Sequence, residues 1–307
     1  MPPVEIIPLT QNSFYVPSAS NVGLYRGPGG TVLFDSGNDA DTGRKYLRAL
    51  EAASIQLDAI LLTHSNADHA GGAAFISSRT GAPIYCSRIE AALCADPVLE
   101  PSFIWGAYPP KELRGKFFMA PSCRATVTET TAPEATLPPT FAGIQVLPLP
   151  GHFFGQQGYL ADGVLFAGDA LFGAESIAKH PVFFVYDVAA FLASLDSIAV
   201  AAPDIVLPSH GQPARGTAEL ADLIAVNRVA IETVAVVVLQ ACSQPTGPAT
   251  PDEVLASVCS HFGITLDWAQ YALVGSTVRS YLVYLRERGE LEVDFRDGKM
   301  VWGRIQA

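Results

Sequence analysis

Basic residues are scarce in this chain. Nineteen Lys and Arg stand against 30 Asp and Glu in 307 residues, a formal net charge of −11. Proteins that grip phosphate backbones need a cationic footprint, so the balance argues against nucleic acid as partner and against a nuclease. Cysteine is scarce too: Cys86, Cys94, Cys123, Cys242 and Cys259 make an odd count with no C-x-x-C spacing. That excludes a disulfide framework and makes a structural Cys-zinc site unlikely. Reduced thiols in a cytoplasmic protein are the expectation. Long apolar runs are missing. The best, Val229 to Cys242, is broken by Glu232 and is shorter than the ~20 residues of a membrane span. The N-terminal Met1-Pro2-Pro3-Val4-Glu5 has no basic stretch followed by an apolar one, so secretion is not expected. No fixed-period repeat or low-complexity tract is apparent.

What is present points to a folded α/β protein. The apolar fraction is 49% and the charged fraction 16%, a composition that buries a core. Short apolar runs recur at Val32–Phe34, Ala59–Leu62, Ile84–Tyr85, Ile144–Leu147, Gly163–Phe166 and Ile205–Leu207. Helical patterns lie between some of them, as over Ala40–Ala53 with Tyr46, Leu47 and Leu50 on one side. Two layers of sheet with helices outside accommodate this order. Residues 95–140 are rich in Pro and aromatics without a clean period, and are read as an insertion or lid. From about Thr217 the pattern turns helical, breaks over Ser243–Ala249, restarts at Thr250-Pro251-Asp252-Glu253, and continues over Trp268–Arg288. Asp297-Gly298 between two alternating runs predicts a hairpin. The expected organisation is therefore residues 1–214 as one domain and 215–307 as a second, winged-helix-like one. The second carries eight Lys/Arg and eleven Asp/Glu, which favours a packing, homodimer-forming or lid role over DNA binding.

Four apolar runs end directly in residues able to hold a metal. Leu61-Leu62-Thr63 leads to His64, Leu149-Pro150-Gly151 to His152, Phe166-Ala167-Gly168 to Asp169, and Leu207-Pro208-Ser209 to His210. Strand ends gathered on one sheet edge are where α/β proteins place their chemistry. The densest stretch is His64-Ser65-Asn66-Ala67-Asp68-His69. A single His in such a place is usually a surface or satisfied core residue. Two His and an Asp within six residues are harder to explain without a cation, because burying several ionisable groups together is costly. Imidazole suits zinc or iron, and carboxylate suits most hard or borderline cations. Asp187 reads as a helix cap. His180 and His261 read as surface residues, although His180 has an alternative place at the pocket. Gln156 and Gln157 are candidates to touch substrate, and Phe103, Trp105 and Tyr108 to form an apolar wall. Gly71-Gly72 permits close packing behind the metal loop and is not a phosphate loop.

These motifs resemble those of the metallo-β-lactamase-fold hydrolases, including glyoxalase II-like enzymes, over roughly residues 10–214. The resemblance rests on the H-x-H-x-D-H pattern at His64, Asp68 and His69, then His152, Asp169 and His210, with Asp35 in Phe34-Asp35-Ser36-Gly37 matching a structural aspartate. It implies a four-layer α/β/β/α sandwich and two adjacent metal sites. Site one is then His64, the second motif position and His152; site two is Asp68, His69 and His210; Asp169 bridges them. It also implies a divalent cofactor, one or two Zn with Fe or Mn as alternatives, and hydrolysis of a small ester, thioester, lactone or amide by a metal-bound hydroxide, with Asp68 orienting the nucleophile. One position departs from the pattern: Asn66 stands where the family has His. Asn66 is expected to ligate weakly through oxygen, to hydrogen-bond a metal-bound water, or to leave one metal only. Two other readings stay open. His64, His152 and Asp169 alone form the two-His-one-carboxylate set of a mononuclear non-haem iron oxygenase, as in persulfide dioxygenases. A degenerate, metal-poor binding or regulatory module is the third.

Overall fold

The computed structural model of the chain describes residues 4–128, 138, 141–244 and 247–305. Of the Pro- and aromatic-rich stretch 95–140, residues 129–137, 139 and 140 lie outside the described residues, as do Pro245 and Thr246 of the Ser243–Ala249 break.

The apolar runs become strands of two sheets. The first has seven strands in chain order, Ile7–Pro8, Ser13–Val16, Val22–Gly27, Gly30–Phe34, Ala59–Leu61, Ile84–Ser87 and Ala125–Thr128. Pairing is antiparallel up to Gly30–Phe34 and parallel beyond it. The second sheet is ordered Ala214–Arg215, Ile205–Pro208, Val164–Gly168, Gln157–Ala161 and Ile144–Pro148. Its one parallel pair joins Val164–Gly168 to Ile205–Pro208.

The period-2 alternation of side chains sorts each strand into two layers. From Gly30–Phe34, Val32 and Phe34 enter the space between the sheets, where they meet Tyr159, Phe166 and Leu207. The Phe34 and Phe166 rings stack across that space at 4.3 Å. Leu33 points the other way, into a layer with Tyr46, Leu50 and Ile76 from the helices Ala40–Ala52 and Ala73–Thr80. On the far side, Leu165 and Val206 pack on Phe191, Leu195 and Ile198 of the helix Val188–Ala201 and on Ile224 and Ile231 of the helix Gly216–Ala241. The result is the α/β/β/α sandwich. Full burial of such side chains contributes about 1.5–3 kcal/mol each, which is why the buried strands need no polar alternation.

The C-terminal region is helical and ends in a hairpin, as the sequence predicts. The helix Pro251–Phe262 opens with a capping box: the Glu253 amide donates to Thr250 Oγ1, and the Thr250 amide donates to the Glu253 carboxylate at 2.7 Å. The helix Trp268–Glu287 follows, and then the strands Leu291–Arg296 and Lys299–Arg304. Asp297 and Gly298 both take positive φ (49° and 72°), the type I′ geometry that suits the twist of a tight hairpin. A single hydrophobic cluster runs from Leu147 in the second sheet through Val238 to Trp302. Within 95–140, the strand Ala125–Thr128 pairs with Ile84–Ser87 at the edge of the first sheet, and Ile104 of the helix Leu99–Trp105 packs with Ala272 of the helix Trp268–Glu287. All five cysteines are buried, and none of them is in a disulfide. Among the described residues, no helix is long and apolar enough to cross a membrane.

Candidate metal centre

The polar residues after Phe34, Leu61, Gly168 and Pro208 emerge at one edge of the sandwich, together with the loop after Pro148. They place His64, His152 and Asp169 in one group, and Asp68, His69 and His210 in another; within each group the donor atoms lie within 4.8 Å of one another. Asp169 stands between the groups. Its carboxylate oxygens are 3.4 Å from His69 Nε2, 3.6 Å from His152 Nε2 and 3.4 Å from His210 Nε2. Asp68 Oδ2 is 3.1 Å from His210 Nε2 and 3.5 Å from His69 Nε2. His64 and His69 are fully buried. Asp68 and His210, at 35% and 25% side-chain exposure, form the open side.

Each imidazole is oriented from behind. The Asp35 carboxylate accepts from His69 Nδ1 at 2.8 Å, from the Thr63 hydroxyl at 2.9 Å and from the Thr63 amide at 2.8 Å. Thr63 Oγ1 in turn accepts from His64 Nδ1 at 3.0 Å. His152 Nδ1 donates to the Phe184 carbonyl at 2.8 Å, and His210 Nδ1 to the Ala19 carbonyl at 2.7 Å. With every Nδ1 committed as a donor, the neutral ring leaves a lone pair on Nε2. All four Nε2 atoms face the centre. His64 Nε2, His69 Nε2 and Asp169 Oδ1 are buried there without a hydrogen bond. Buried polar atoms are rarely left in that state. A shared cation explains it, and the donor set fits a divalent metal with outer-shell partners already in place.

Asn66 belongs to this arrangement. Its Oδ1 lies 3.2 Å from His152 Nε2, and its Nδ2 donates to Glu100 Oε1 at 2.7 Å. Since His152 Nδ1 carries the ring proton, Oδ1 and Nε2 turn lone pairs toward the same point.

The electrostatics follow from burial and from the two carboxylates. Burial, with His69 alongside, drives the His64 pKa well below 6.5. Burial also lowers His152, against the pull of Asp169. Burial opposes charge on His69 and His210 as well, but Asp68 and Asp169 hold His69 well above the usual range and push His210 up to about 10. Desolvation raises Asp68, yet His69 and His210 bring it down to about 2, and the same two rings hold Asp169 well below 3.8 against its burial. The protons on those two rings are the ones a cation would displace, so metal uptake here would release protons.

Backbone geometry at the loops is tight. A Cβ on Gly71 would sit 2.0 Å from the Asn38 carbonyl oxygen, and one on Gly72 2.2 Å from that of Ser36. The glycine pair lets the metal loop pack directly on the Asp35 turn.

Other sequence candidates are placed differently. Phe103 packs on Phe153, Phe154, Phe184 and Tyr186 beside His152. Trp105 instead lies against Trp268 and Tyr271, and Tyr108 is 73% exposed, so neither shares that wall. Gln156 and Gln157 are buried at 1% exposure, Gln157 at the start of a second-sheet strand. Asp187 caps its helix by accepting from the Ala190 amide, and His180 and His261 are exposed.

Three supporting residues escape the sequence reading. Glu90 is fully buried and accepts from the Ser65 amide (3.0 Å), the Ser65 hydroxyl (2.6 Å) and the Gly155 amide (2.8 Å), tying the His64 and His152 loops together. Glu100 holds Asn66. Asn227, fully buried on the long helix, accepts from the Phe172 amide at 2.9 Å and donates to the Phe172 carbonyl at 2.8 Å. Only Asn227 leaves a signal, as an Asn on the apolar face marked by Leu220, Ile224, Ile231 and Val234.

Comparison with known proteins agrees with this geometry. Hydroxyacylglutathione hydrolase of Methylobacillus flagellatus is 30% identical over 136 residues, 44% of this chain and 42% of that protein. That of Dechloromonas aromatica is 29% identical over 170 residues, 55% of this chain and 50% of that protein. The chain thus spans half or less of the length of these two relatives. Among solved structures, a beta-lactamase domain protein from Burkholderia ambifaria superposes with a TM-score of 0.71 at 19% identity, over 98% of this chain and 94% of that one. A metallo-beta-lactamase family protein from Thermus thermophilus does so with a TM-score of 0.72 at 19% identity, over 97% and 100%. At such identities the likeness speaks for the fold, but residues 15–210 of the sequence also match the family model, and the chain belongs to the metallo-beta-lactamase superfamily.

Proposed function

We propose that the chain is a metal-dependent hydrolase of small thioester or ester substrates. The observation that carries this is the convergence of four oriented imidazole Nε2 atoms, two carboxylates and an amide oxygen on one edge of the sandwich. The names of the relatives as hydroxyacylglutathione hydrolases support thioesters as the first candidate bond. Zinc is the metal the N/O donor set suits best.

His64, Asn66, His152 and Asp169 would hold one ion, and Asp68, His69, His210 and Asp169 a second. A metal held there would supply an activated water and Lewis-acid polarisation of the scissile carbonyl. Asp68 has the most exposed carboxylate of the site, and its low pKa keeps it ionised, so that it would orient the attacking water by accepting its hydrogen bond. Asp35 and Thr63 keep His69 and His64 in the donating tautomer. The half-exposed rings of Phe103, Phe154 and Phe184, with the exposed Tyr186, flank His152 and supply an apolar surface for the acyl part. The acidic surface makes a nucleic-acid substrate unfavourable, and five cysteines outside any disulfide suit a reducing cytoplasm.

The test is elemental analysis of protein purified without chelators, paired with thioester and lactone assays. About two zinc per chain, with thioester turnover lost to a chelator and restored by zinc, supports the reading. A zinc-loaded protein inert toward thioesters, esters and lactones refutes it. A second reading has its own observation, the buried His64–His152–Asp169 group. About one iron per chain and oxygen consumption would favour that iron oxygenase instead.

A further inference from the structure

We infer that Glu100 is a positioning residue that makes Asn66 an oxygen donor to the first metal position. The inference rests on the metal-centre reading above. An asparagine amide presents either an acceptor or a donor, depending on which way it is turned. Turned with Nδ2 inward, it would aim N–H groups at a cation and repel it. The outer contact fixes the turn. On the outer side, Glu100 Oε1 accepts from Asn66 Nδ2 at 2.7 Å. On the inner side, Oδ1 stands 3.2 Å from His152 Nε2, whose ring proton is already given to the Phe184 carbonyl, an approach of two acceptors that a shared cation would make favourable.

Glu100 is built for this task and has no other visible one. It lies in the first turn of the helix Leu99–Trp105 and is 5% exposed, with Asn66 as its hydrogen-bond partner among the described residues. No Lys or Arg pairs with it in the described structure. A buried carboxyl without a cationic partner is costly, so its retention at this place asks for a reason. The chemistry supplies one. Asn and His are both neutral, so the substitution at position 66 changes donor strength and not charge. A carboxyl group drawing on Nδ2–H raises the electron density on the amide oxygen, as outer-shell carboxylates raise the basicity of metal-bound imidazole. Glu100 thereby compensates for the weaker ligand. It reaches the site from the 95–140 stretch, which gives that stretch a role in the metal centre.

The test is metal affinity per site, read by competition with a chromophoric chelator, plus the visible spectrum of the cobalt(II)-loaded protein. Glu100→Leu removes the acceptor and should weaken one metal per chain by about 10–100-fold while the other stays within about threefold. The cobalt band of the weakened site should shift, because a donor oxygen is lost. Glu100→Gln retains an acceptor oxygen and should restore most of the affinity, in a fold checked by its melting curve. If Glu100→Leu binds both metals as the parent does, or if Glu100→Gln loses as much as Glu100→Leu, the positioning role is wrong. A parent protein that binds no metal would instead overturn the metal-centre reading itself.

Discussion

Replacing Asn227 by Leu tests whether the C-terminal helices hold the metal centre in shape. Asn227 sits at the middle of the helix Gly216–Ala241, fully buried, and its amide brackets Phe172 as a peptide group would. Phe172 follows Asp169 by three residues. Its ring lies 5.7 Å from that of His152 and stacks on His210 at 6.0 Å and 16°. Leu fills the volume but satisfies neither backbone group of Phe172, which is itself only 5% exposed. Two buried, unsatisfied backbone groups cost about 1–3 kcal/mol each, so about 2–6 kcal/mol in all. In a chain of this size about 1 kcal/mol corresponds to about 2 °C, which puts the fall in Tm at about 4–12 °C. The Asn227 Nδ2 bond to the Leu223 carbonyl (2.8 Å) adds little, because that carbonyl lies within the helix. Differential scanning calorimetry of metal-loaded and chelator-treated protein reads the effect, and chelator competition should show weaker metal retention. A Tm within about 1 °C of the parent with unchanged metal affinity would refute the coupling.

Three further outcomes follow from the same geometry. Asp169→Ala removes the carboxylate that lies within 3.6 Å of three imidazoles, so metal content and turnover should fall together; a variant that keeps two metals per chain contradicts the bridging assignment. Asn66→His should raise occupancy of the first site by at least the about 10-fold that an outer-shell change is worth, and unchanged zinc stoichiometry and affinity would show that Asn66 does not limit it. Glu253 is held below its ordinary 4.5 by the Thr250 backbone and side-chain hydrogen bonds. Its contribution is therefore present above pH 4.5 and lost as pH falls through the lower folded-state pKa. The Tm gap between the parent and Glu253→Gln should close in acid, and a gap that widens there would contradict the capping-box account.

The sandwich and the convergence of its strand ends were legible because both come from local regularities. Val32–Phe34 and Ala59–Leu61 are apolar on both faces because each is covered by a sheet on one side and helices on the other, and continuous apolar runs encode that burial. Metal-capable residues directly after such runs land on one edge by topology alone. Thr250-Pro251 and Asp297-Gly298 were legible for the same reason, since caps and tight turns are decided by two to four neighbouring residues. What was hidden depends on partners distant in the chain. Glu90 and Glu100 read as ordinary charges in the first turns of helices, and only the folded arrangement shows them 25 and 34 residues from the groups they hold. The same limit applied to Asn66. Its identity as a departure was visible, but the turn of its amide is set by Glu100 from outside. A ligand position is thus defined by the group that orients it as much as by the residue type. A lone His-to-Asn change says little about loss of activity until the carboxyl group behind it is found.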